Sequence, residues 1–442
     1  MKSKRILSMM LAIVMVFAMT ACAKKVENTG AEEAATPTAT EAVTPAATEE
    51  ATPEPTKEAE TIQPVTIEYW HAMSGGPQDE LTKLTDKFNA ENGKGITVKL
   101  VNQGSYDDLS KKLMGSVAAK TLPDMAQVYD SWIINYLDAV VPLDDFVNSD
   151  FDNYDDIVES YRNESKEFGK IYTMPFNKSI QLYFYNKTEF DKLGLSAPKT
   201  WEDLKNIGKT IYDADKKPAL GYDDLAAMFW QLVLQNGSEF IENGEVKFNN
   251  AQGIEALNFF LDMYKKGYAR VAGEDKYMSG PFGNGDCMAY IGSSAGLSYI
   301  KTNGFELGVA PLPAGKAGAV PSAGTNLAMF AQDRNKQLAV WEYMKYLTSA
   351  DATAEWSIAT GYLPVRLSAF QSSAYQTYMK GSEAAQASYA QIDNQYFEGA
   401  YKGANEVRSL LSSEVEAAIL NGETGEKAVP DIAAKVEAIL KK

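Results

Sequence analysis

Residue types that carry covalent chemistry are scarce in this chain. It holds one histidine, His71, and two cysteines, Cys22 and Cys287. A Ser-His-Asp or Cys-His mechanism would have to run through His71, and a histidine-rich zinc site is excluded. Neither a GxxxxGKS/T phosphate loop nor a GxGxxG dinucleotide fingerprint occurs, and no cofactor or metal is expected. Acidic residues are plentiful, 59 Asp and Glu in all, so a glycan hydrolase using paired carboxylates stays open until their positions in space are known. Cys287 reads as a small buried apolar residue rather than a nucleophile.

The elements that would position a site follow from periodicity. Residues 65–70 (VTIEYW) alternate and are rich in β-branched and aromatic types, which predicts a strand. A helix is expected over 79–91, with Leu81, Leu84 and Phe88 at helical spacing. A strand at 96–101, a helix at 106–122 and a strand at 125–129 follow. This order is the pattern of a parallel sheet with right-handed crossovers. In such sheets ligands bind beyond the carboxyl ends of the strands, here 71–76, 104–106 and 129–132. A second α/β region is expected from a strand at 180–185, helices at 200–214, 223–235 and 251–266, and strands at 287–291 and 305–311. Thr200 caps the first of these helices with Asp203 at the capping-box position. Helices at 337–347 and 350–360 come next. Residues 403–442 read as helix, broken at Asn421-Gly422 and at Pro430. The net charge of −17 argues against nucleic acid and against broad docking on anionic lipid.

The chain begins MKSKRILSMMLAIVMVFAMTACAKK. Lys2, Lys4 and Arg5 precede an apolar run at 6–18 that is too short and wrongly flanked for a membrane span. Met19-Thr20-Ala21-Cys22 resembles a bacterial lipoprotein signal, in which the cysteine thiol is lipidated and the chain is cut before it. The resemblance implies a signal peptide at 1–21 and Cys22 as the lipid-modified N-terminus. An ordinary secretory signal or an uncleaved anchor is the alternative. With Cys22 modified, Cys287 has no partner for an internal disulfide. Residues 22–64 are expected to form a disordered acidic linker. Residues 26–64 contain no aromatic side chain, and Ala, Thr, Glu and Pro dominate, too little apolar surface to offset ordering entropy. As a coil it reaches about 35 Å.

After the linker a series of segments runs in collinear order: YWHAMSG (69–75), FNAEN (88–92), QGSYDDLSKKL (103–113), QVYD (127–130), PFNKSIQLYFYNK (175–187), TWEDL (200–204), NGDCMAYIGSSAGLSYIK (284–301), TGYLP (360–364) and EVR (406–408). Together they resemble the extracellular solute-binding proteins of carbohydrate-type ABC importers, and among these their glycerol-phosphate-binding members. The resemblance implies an α/β fold of two lobes, periplasmic-binding-protein-like. Each lobe would be a mostly parallel sheet with helices on both faces, joined by hinge crossovers. The expected division is 65–175 plus 309–347 for the first lobe and 176–308 plus 348–442 for the second. The strand at 305–311 would carry the chain back to the first lobe, and a crossing near 347–350 would return it to the second.

Carried over position by position, the resemblance implies ligand contacts at Tyr106, Asp130, Ser179, Ser294 or Ser293, Gly324, Tyr362 and Arg408. Arg408 would be the main partner of an anionic group on the ligand. The serines and the Gly324 backbone N–H would complete the anion pocket, and Asp130 would accept from ligand hydroxyls. Each position has a plainer role: cleft-edge or core rings for Tyr106 and Tyr362, a solvated charge for Arg408, caps or turns for the serines and Gly324. Asp130 stands where the glycerol-phosphate binders carry Glu. The stretch 223–228 lacks their tryptophans, with Trp230 offset. A sugar, a polyol phosphate and a glycerophosphodiester all fit.

The expected function is capture of such a ligand in the interlobe cleft and its delivery to ABC permease subunits. The protein would be a monomer outside the cytoplasmic membrane, anchored to it by the N-terminal lipid alone. A surface-anchored glycan hydrolase is the alternative. The anchor is directly testable: Cys22→Ser should move the protein from the membrane fraction to the soluble fraction. A variant that stays in the membrane after salt washing would refute lipid anchoring through Cys22.

Overall fold

The computed structural model describes residues 60–166 and 168–441; Cys22, the signal segment and most of the linker lie outside them. In chain order the strands are β1 (Val65–His71), β2 (Ile96–Asn102), β3 (Met125–Val128), β4 (Thr173–Asn186), β5 (Leu220–Tyr222), β6 (Ile241–Glu242), β7 (Glu245–Val246), β8 (Ala269–Val271), β9 (Ala289–Ser293), β10 (Leu307–Ala310), β11 (Val320–Met329) and β12 (Gln395–Tyr396). Ten of them form one sheet of order β2-β1-β3-β11-β4-β9-β5-β8, with β10 beside β4 and β12 beside β11; β6 and β7 form a separate hairpin. The molecule is a two-lobed α/β protein. Parallel pairs dominate each end: β1 with β2 and β3 in the first lobe, β5 with β8 and β9 in the second.

Between these ends run β4 and β11, antiparallel to one another. Residues 173–180 of β4 pair with β11, whereas 181–185 pair with β9. One strand thus belongs to both lobes, changing neighbours between Ile180 and Gln181. β11 likewise pairs with β3 through Asn326–Met329 and with β12 through Val320 and Pro321. The strand expected at 305–311 is present as β10, but it lies along Tyr183–Asn186 of β4, inside the second lobe. β11 is the strand that carries the chain back. The helix Ala350–Thr360 packs on the helix Gly75–Glu91 of the first lobe, and Trp356 joins that lobe's core. The crossing expected near 347–350 therefore comes later, where Leu363 bridges Lys178 of β4.

The apolar cores respect this division. Ile67, Tyr69, Leu81, Leu84 and Phe88 pack with Trp341 and Trp356 on one face of the first sheet, and Leu109, Leu113, Val128, Trp132 and Phe330 pack on the other. The second lobe's core holds Tyr183, Phe229, Phe240, Phe248, Phe260, Val407 and Leu411. Local signals support the packing. The Thr200/Asp203 capping box forms as expected, and a second one forms at Ser105/Asp108, starting the helix Tyr106–Ala119 at the cleft. Pro430 does not break its helix, which runs Gly425–Leu440. Cys287 is fully buried; its thiol donates to the Ala289 carbonyl at 2.9 Å, and burial pushes its pKa up to about 12.

At the bulge where β11 shifts register against β4, Gly324 faces Lys178 with φ +105°. A Cβ there would stand 1.9 Å from the Asn177 carbonyl oxygen. Gly324→Ala should therefore cost about 2–4 kcal/mol, read as a lowered thermal midpoint. Gly76→Ala, in a helix with nothing within 4 Å of the added atom, should leave the midpoint near or above wild type.

Candidate functional site

The carboxyl ends of β1 and β3 meet the middle of β4 and β11 at a floor of buried amides and hydroxyls. Thr325 Oγ1 donates to Asn177 Oδ1 at 2.7 Å, and Gln127 Nε2 reaches the same oxygen at 3.4 Å. Asn177 Nδ2 donates to the Tyr106 hydroxyl at 3.3 Å. Tyr362 stands over this floor, hydrogen-bonded to Asn177 and Tyr106 and stacked on Trp356 with ring centroids 5.7 Å apart. Tyr106 in turn meets the Tyr129 ring edge-on at 5.2 Å. Burial, then the neighbouring phenol of Tyr362, holds the Tyr106 and Tyr129 hydroxyls well above their usual pKa, so all three remain protonated donors.

Asp130 opens the short helix Asp130–Ile133 at the end of β3 and is 9% exposed. It accepts from Thr173 Oγ1 at 3.2 Å and from the Asn326 amide. Beside it Glu164 pairs with the fully buried Lys178 at 2.7 Å. Burial, and secondarily the Asp130 charge, drives the Glu164 pKa far up. Lys178 also donates to Asn326 at 3.3 Å. Two acids and one lysine therefore form one closed unit on the hinge strands.

Arg408 projects from the helix Ala404–Leu420 of the second lobe, its side chain 43% exposed. Its guanidinium is held on both sides, by Asp224 at the N-cap of the helix Leu225–Gln235 and by Glu398. Arg408 and Asp224 both lie close enough to Tyr129 to act on its phenol, so this ionic group faces the first lobe's aromatic rings. Two further bonds span the gap: Ser131 Oγ to Asn405 Oδ1 at 3.3 Å and the Tyr299 hydroxyl to the Ser74 carbonyl at 3.5 Å. Asp223, next to Asp224, accepts the Met278 N–H at 2.6 Å. Burial, and then the Asp224 charge, raises its pKa to about 6.

The structure thus brings Tyr106, Asp130, Tyr362 and Arg408 toward one cleft. It gives the other expected residues local work. Ser293 caps the turn Ser294–Tyr299 by accepting from Ala295 N–H, Ser294 Oγ accepts from the Ile180 N–H at 3.4 Å, and Ser179 is buried in β4 opposite Ala323. Gly324 serves the bulge. Sequence reasoning missed Tyr129, Asn177, Thr325, Asp224 and Glu398. Tyr129 and Asn177 lie inside segments already singled out; the other three carry no local signal. His71 is buried and donates nothing to this group; burial lowers its pKa to about 4, and its Nδ1 accepts the Met73 N–H. Among the described residues no three His, Cys, Asp or Glu side chains gather as metal ligands, and no helix is long and apolar enough to cross a membrane.

Residues 83–381 match the family described as bacterial extracellular solute-binding protein. The chain is 26% identical over 416 residues to the sn-glycerol-3-phosphate-binding periplasmic protein UgpB of Yersinia pseudotuberculosis, covering 87% of this chain and 94% of that protein. Among solved structures, UgpB from Mycobacterium tuberculosis in complex with glycerophosphocholine superposes with a TM-score of 0.76 at 24% identity, covering 85% of this chain and 98% of that one. The cyclic alpha-maltosyl-1,6-maltose binding protein from Arthrobacter globiformis superposes with a TM-score of 0.76 at 25% identity, covering 86% and 100%.

The raised Asp223 pKa sets a pH dependence. The folded state binds this proton more tightly than the unfolded chain, whose Asp titrates near 3.9. Stability is therefore lost as pH rises from about 4 to about 6. Asp223→Asn keeps an acceptor for Met278 and removes the charge. Its stability relative to wild type should rise by about 2 kcal/mol between pH 4 and pH 7 in denaturant titrations. A pH-independent difference would refute the burial of a charged Asp223.

Proposed function

We propose that this chain, which belongs to the bacterial extracellular solute-binding proteins, is the substrate-binding protein of an ABC importer and captures a neutral, hydroxyl-rich ligand between its lobes, a sugar or short glycan. The observation that carries the choice of ligand is the state of Arg408. Its fork is matched on both edges by Asp224 and Glu398, so the group carries a net negative charge. A phosphate arriving there would meet two carboxylates, and losing its hydration would not be offset by a free guanidinium. A sugar hydroxyl meets no such penalty. It donates to Asp224 or Glu398, accepts from a spare Arg408 N–H, and lays its ring face on Tyr106, Tyr129 or Tyr362.

In this reading Tyr106, Tyr362, Asp130 and Arg408 touch the ligand, joined by Tyr129 and Asp224. Asp130 keeps lone pairs for a hydroxyl beyond those used by Thr173 and Asn326. Ser179, Ser293, Ser294 and Gly324 act on the backbone around the cleft. The lobes divide with β11 as the returning strand and the helix Ala350–Thr360 on the first lobe, so that the crossing falls later than the expected 347–350, and they close on the ligand by bending β4 and β11. The Ser131–Asn405 and Tyr299–Ser74 bonds belong to the approached lobes. The protein works as a monomer outside the membrane, held by lipid on Cys22 and handing its ligand to the permease subunits.

Glycerol phosphates are the competing class, favoured by the curated relative's name. Titration calorimetry with maltotriose, cellotriose and glycerol 3-phosphate separates the two. A trisaccharide should bind, and Arg408→Ala should weaken it by about 5- to 12-fold, the loss of one ordinary hydrogen bond. Heat from glycerol 3-phosphate alone, abolished in Arg408→Ala, would overturn the neutral ligand while leaving the transport role in place.

A further inference from the structure

The hydrogen bonds of the cleft floor have a direction, and a backbone group sets it. The Ala72 N–H, just past the end of β1, donates to Gln127 Oε1 at 2.9 Å. A backbone N–H can only donate, so the Gln127 oxygen faces Ala72 and its nitrogen faces the other way. That nitrogen reaches Asn177 Oδ1 at 3.4 Å. The Thr325 hydroxyl donates to the same oxygen at 2.7 Å. With its oxygen held from two sides, Asn177 turns its nitrogen to Tyr106, whose phenol oxygen accepts from it at 3.3 Å. Gln127, Asn177 and Thr325 are each completely buried, in β3, β4 and β11. The protein itself, not water, therefore decides which way each amide points.

The consequence lies at the end of this chain of bonds. A phenol has a single proton. Tyr106 accepts on the side of Asn177, so its own O–H turns away from the amide, toward Tyr362 and the cleft. If Tyr362 takes that proton, the Tyr362 proton is the one left over. In both cases the floor ends in an O–H aimed outward. The second-lobe side has the opposite polarity. Asp224 and Glu398, both held by Arg408, are acceptors only. A ligand hydroxyl between the two sides gives its proton to a carboxylate and a lone pair to a phenol.

We propose that Asn177 is a positioning residue that sets the polarity of the cleft: pinned by Gln127 and Thr325, it makes the phenols of Tyr106 and Tyr362 donors toward the ligand. The group that meets them must then be an acceptor. It is a ring or glycosidic oxygen, or a hydroxyl whose proton is engaged on the far side. The proposal rests on the reading that Tyr106 and Tyr362 touch the ligand. It does not depend on whether that ligand is neutral.

Two substitutions separate polarity from packing. Asn177→Asp keeps the size and the bonds from Gln127 and Thr325, but its second oxygen draws the Tyr106 proton inward and leaves a lone pair facing the ligand. Asn177→Leu has a similar volume and favours neither direction. Calorimetry on the full protein uses maltotriose, cellotriose and glycerol 3-phosphate as probes. The probe that binds should weaken by about 3- to 10-fold in Asn177→Leu and by about 10- to 100-fold in Asn177→Asp. A purely structural role gives the reverse order, because Leu leaves more buried groups unpaired than Asp does. Asn177→Asp binding as tightly as Asn177→Leu, or more tightly, overturns the proposal. Wild-type affinity in both Tyr106→Phe and Tyr362→Phe overturns the reading beneath it as well. Neutron diffraction from the deuterated protein reads the polarity without any ligand. Deuterons on the Asn177 nitrogen facing Tyr106 are expected; the Asn177 oxygen in that place overturns the relay and leaves the phenols as ligand contacts.

Discussion

The antiparallel pairing of β4 with β11 is the constraint on which the remaining geometry depends. Among the described residues these two strands are the long elements shared by both parts of the main sheet, and β4 exchanges its partner in mid-strand. Lys178 sits just before that exchange, completely buried. A lysine there is tolerable only with an acid beside it, because an unpaired charge in the interior costs several kcal/mol. Glu164 supplies the acid, and Asn326 and Asp130 complete the unit. One buried group of two acids, a lysine and an amide therefore fixes the helix Glu159–Ser165 to β4, β4 to β11, and β11 to the cleft residue Asp130. A strand slip of one residue would point Lys178 to the other face and leave Glu164 and Asp130 as two buried acids without a cation.

The cleft itself is assembled from two different kinds of surface. The first-lobe side is a floor of neutral amides and phenols whose donors and acceptors satisfy each other. The second-lobe side is ionic, with Arg408 caught between two carboxylates. Neither side is complete alone for a hydroxylated ligand. The rings supply apolar area and the ionic side supplies directional bonds. In the proposed reading, binding and lobe approach are one event: a ligand gains both sets of contacts only when the gap is narrow, so its differential affinity for the closed state drives closure.

Much of the first lobe was legible in the sequence. Alternation marked β1, β2 and β3, and helical spacing marked the helices between them, because each element there has one buried face and one wet face. The same rule explains the failures. The first half of β4, TMPFNKS, is buried on both faces and contains Pro175, so no alternation shows. β11, VPSAGTNLAM, has small residues, a proline and a glycine. It is a strand because its neighbours on both sides pair with it, not because its own residues prefer to be extended. Pro430 was expected to end a helix, yet burial of Val429, Ile432 and Ala433 on both sides of it carries the helix through. At the site, resemblance led to Arg408, Asp130, Tyr106 and Tyr362. The ion-pair partners of Arg408, Asp224 and Glu398, were out of reach, since ion pairs between distant segments leave no periodic trace.

The buried thiol of Cys287 has a consequence for how such a chain matures. It is the lone cysteine among the described residues, it is sealed from water, and its thiolate is suppressed. The described body is therefore held without a disulfide. A chain threaded unfolded through a membrane can reach this state without an oxidase, a disulfide isomerase or a set redox potential on the far side. Peroxide or a reductant in the surroundings finds no bridge to form or to break.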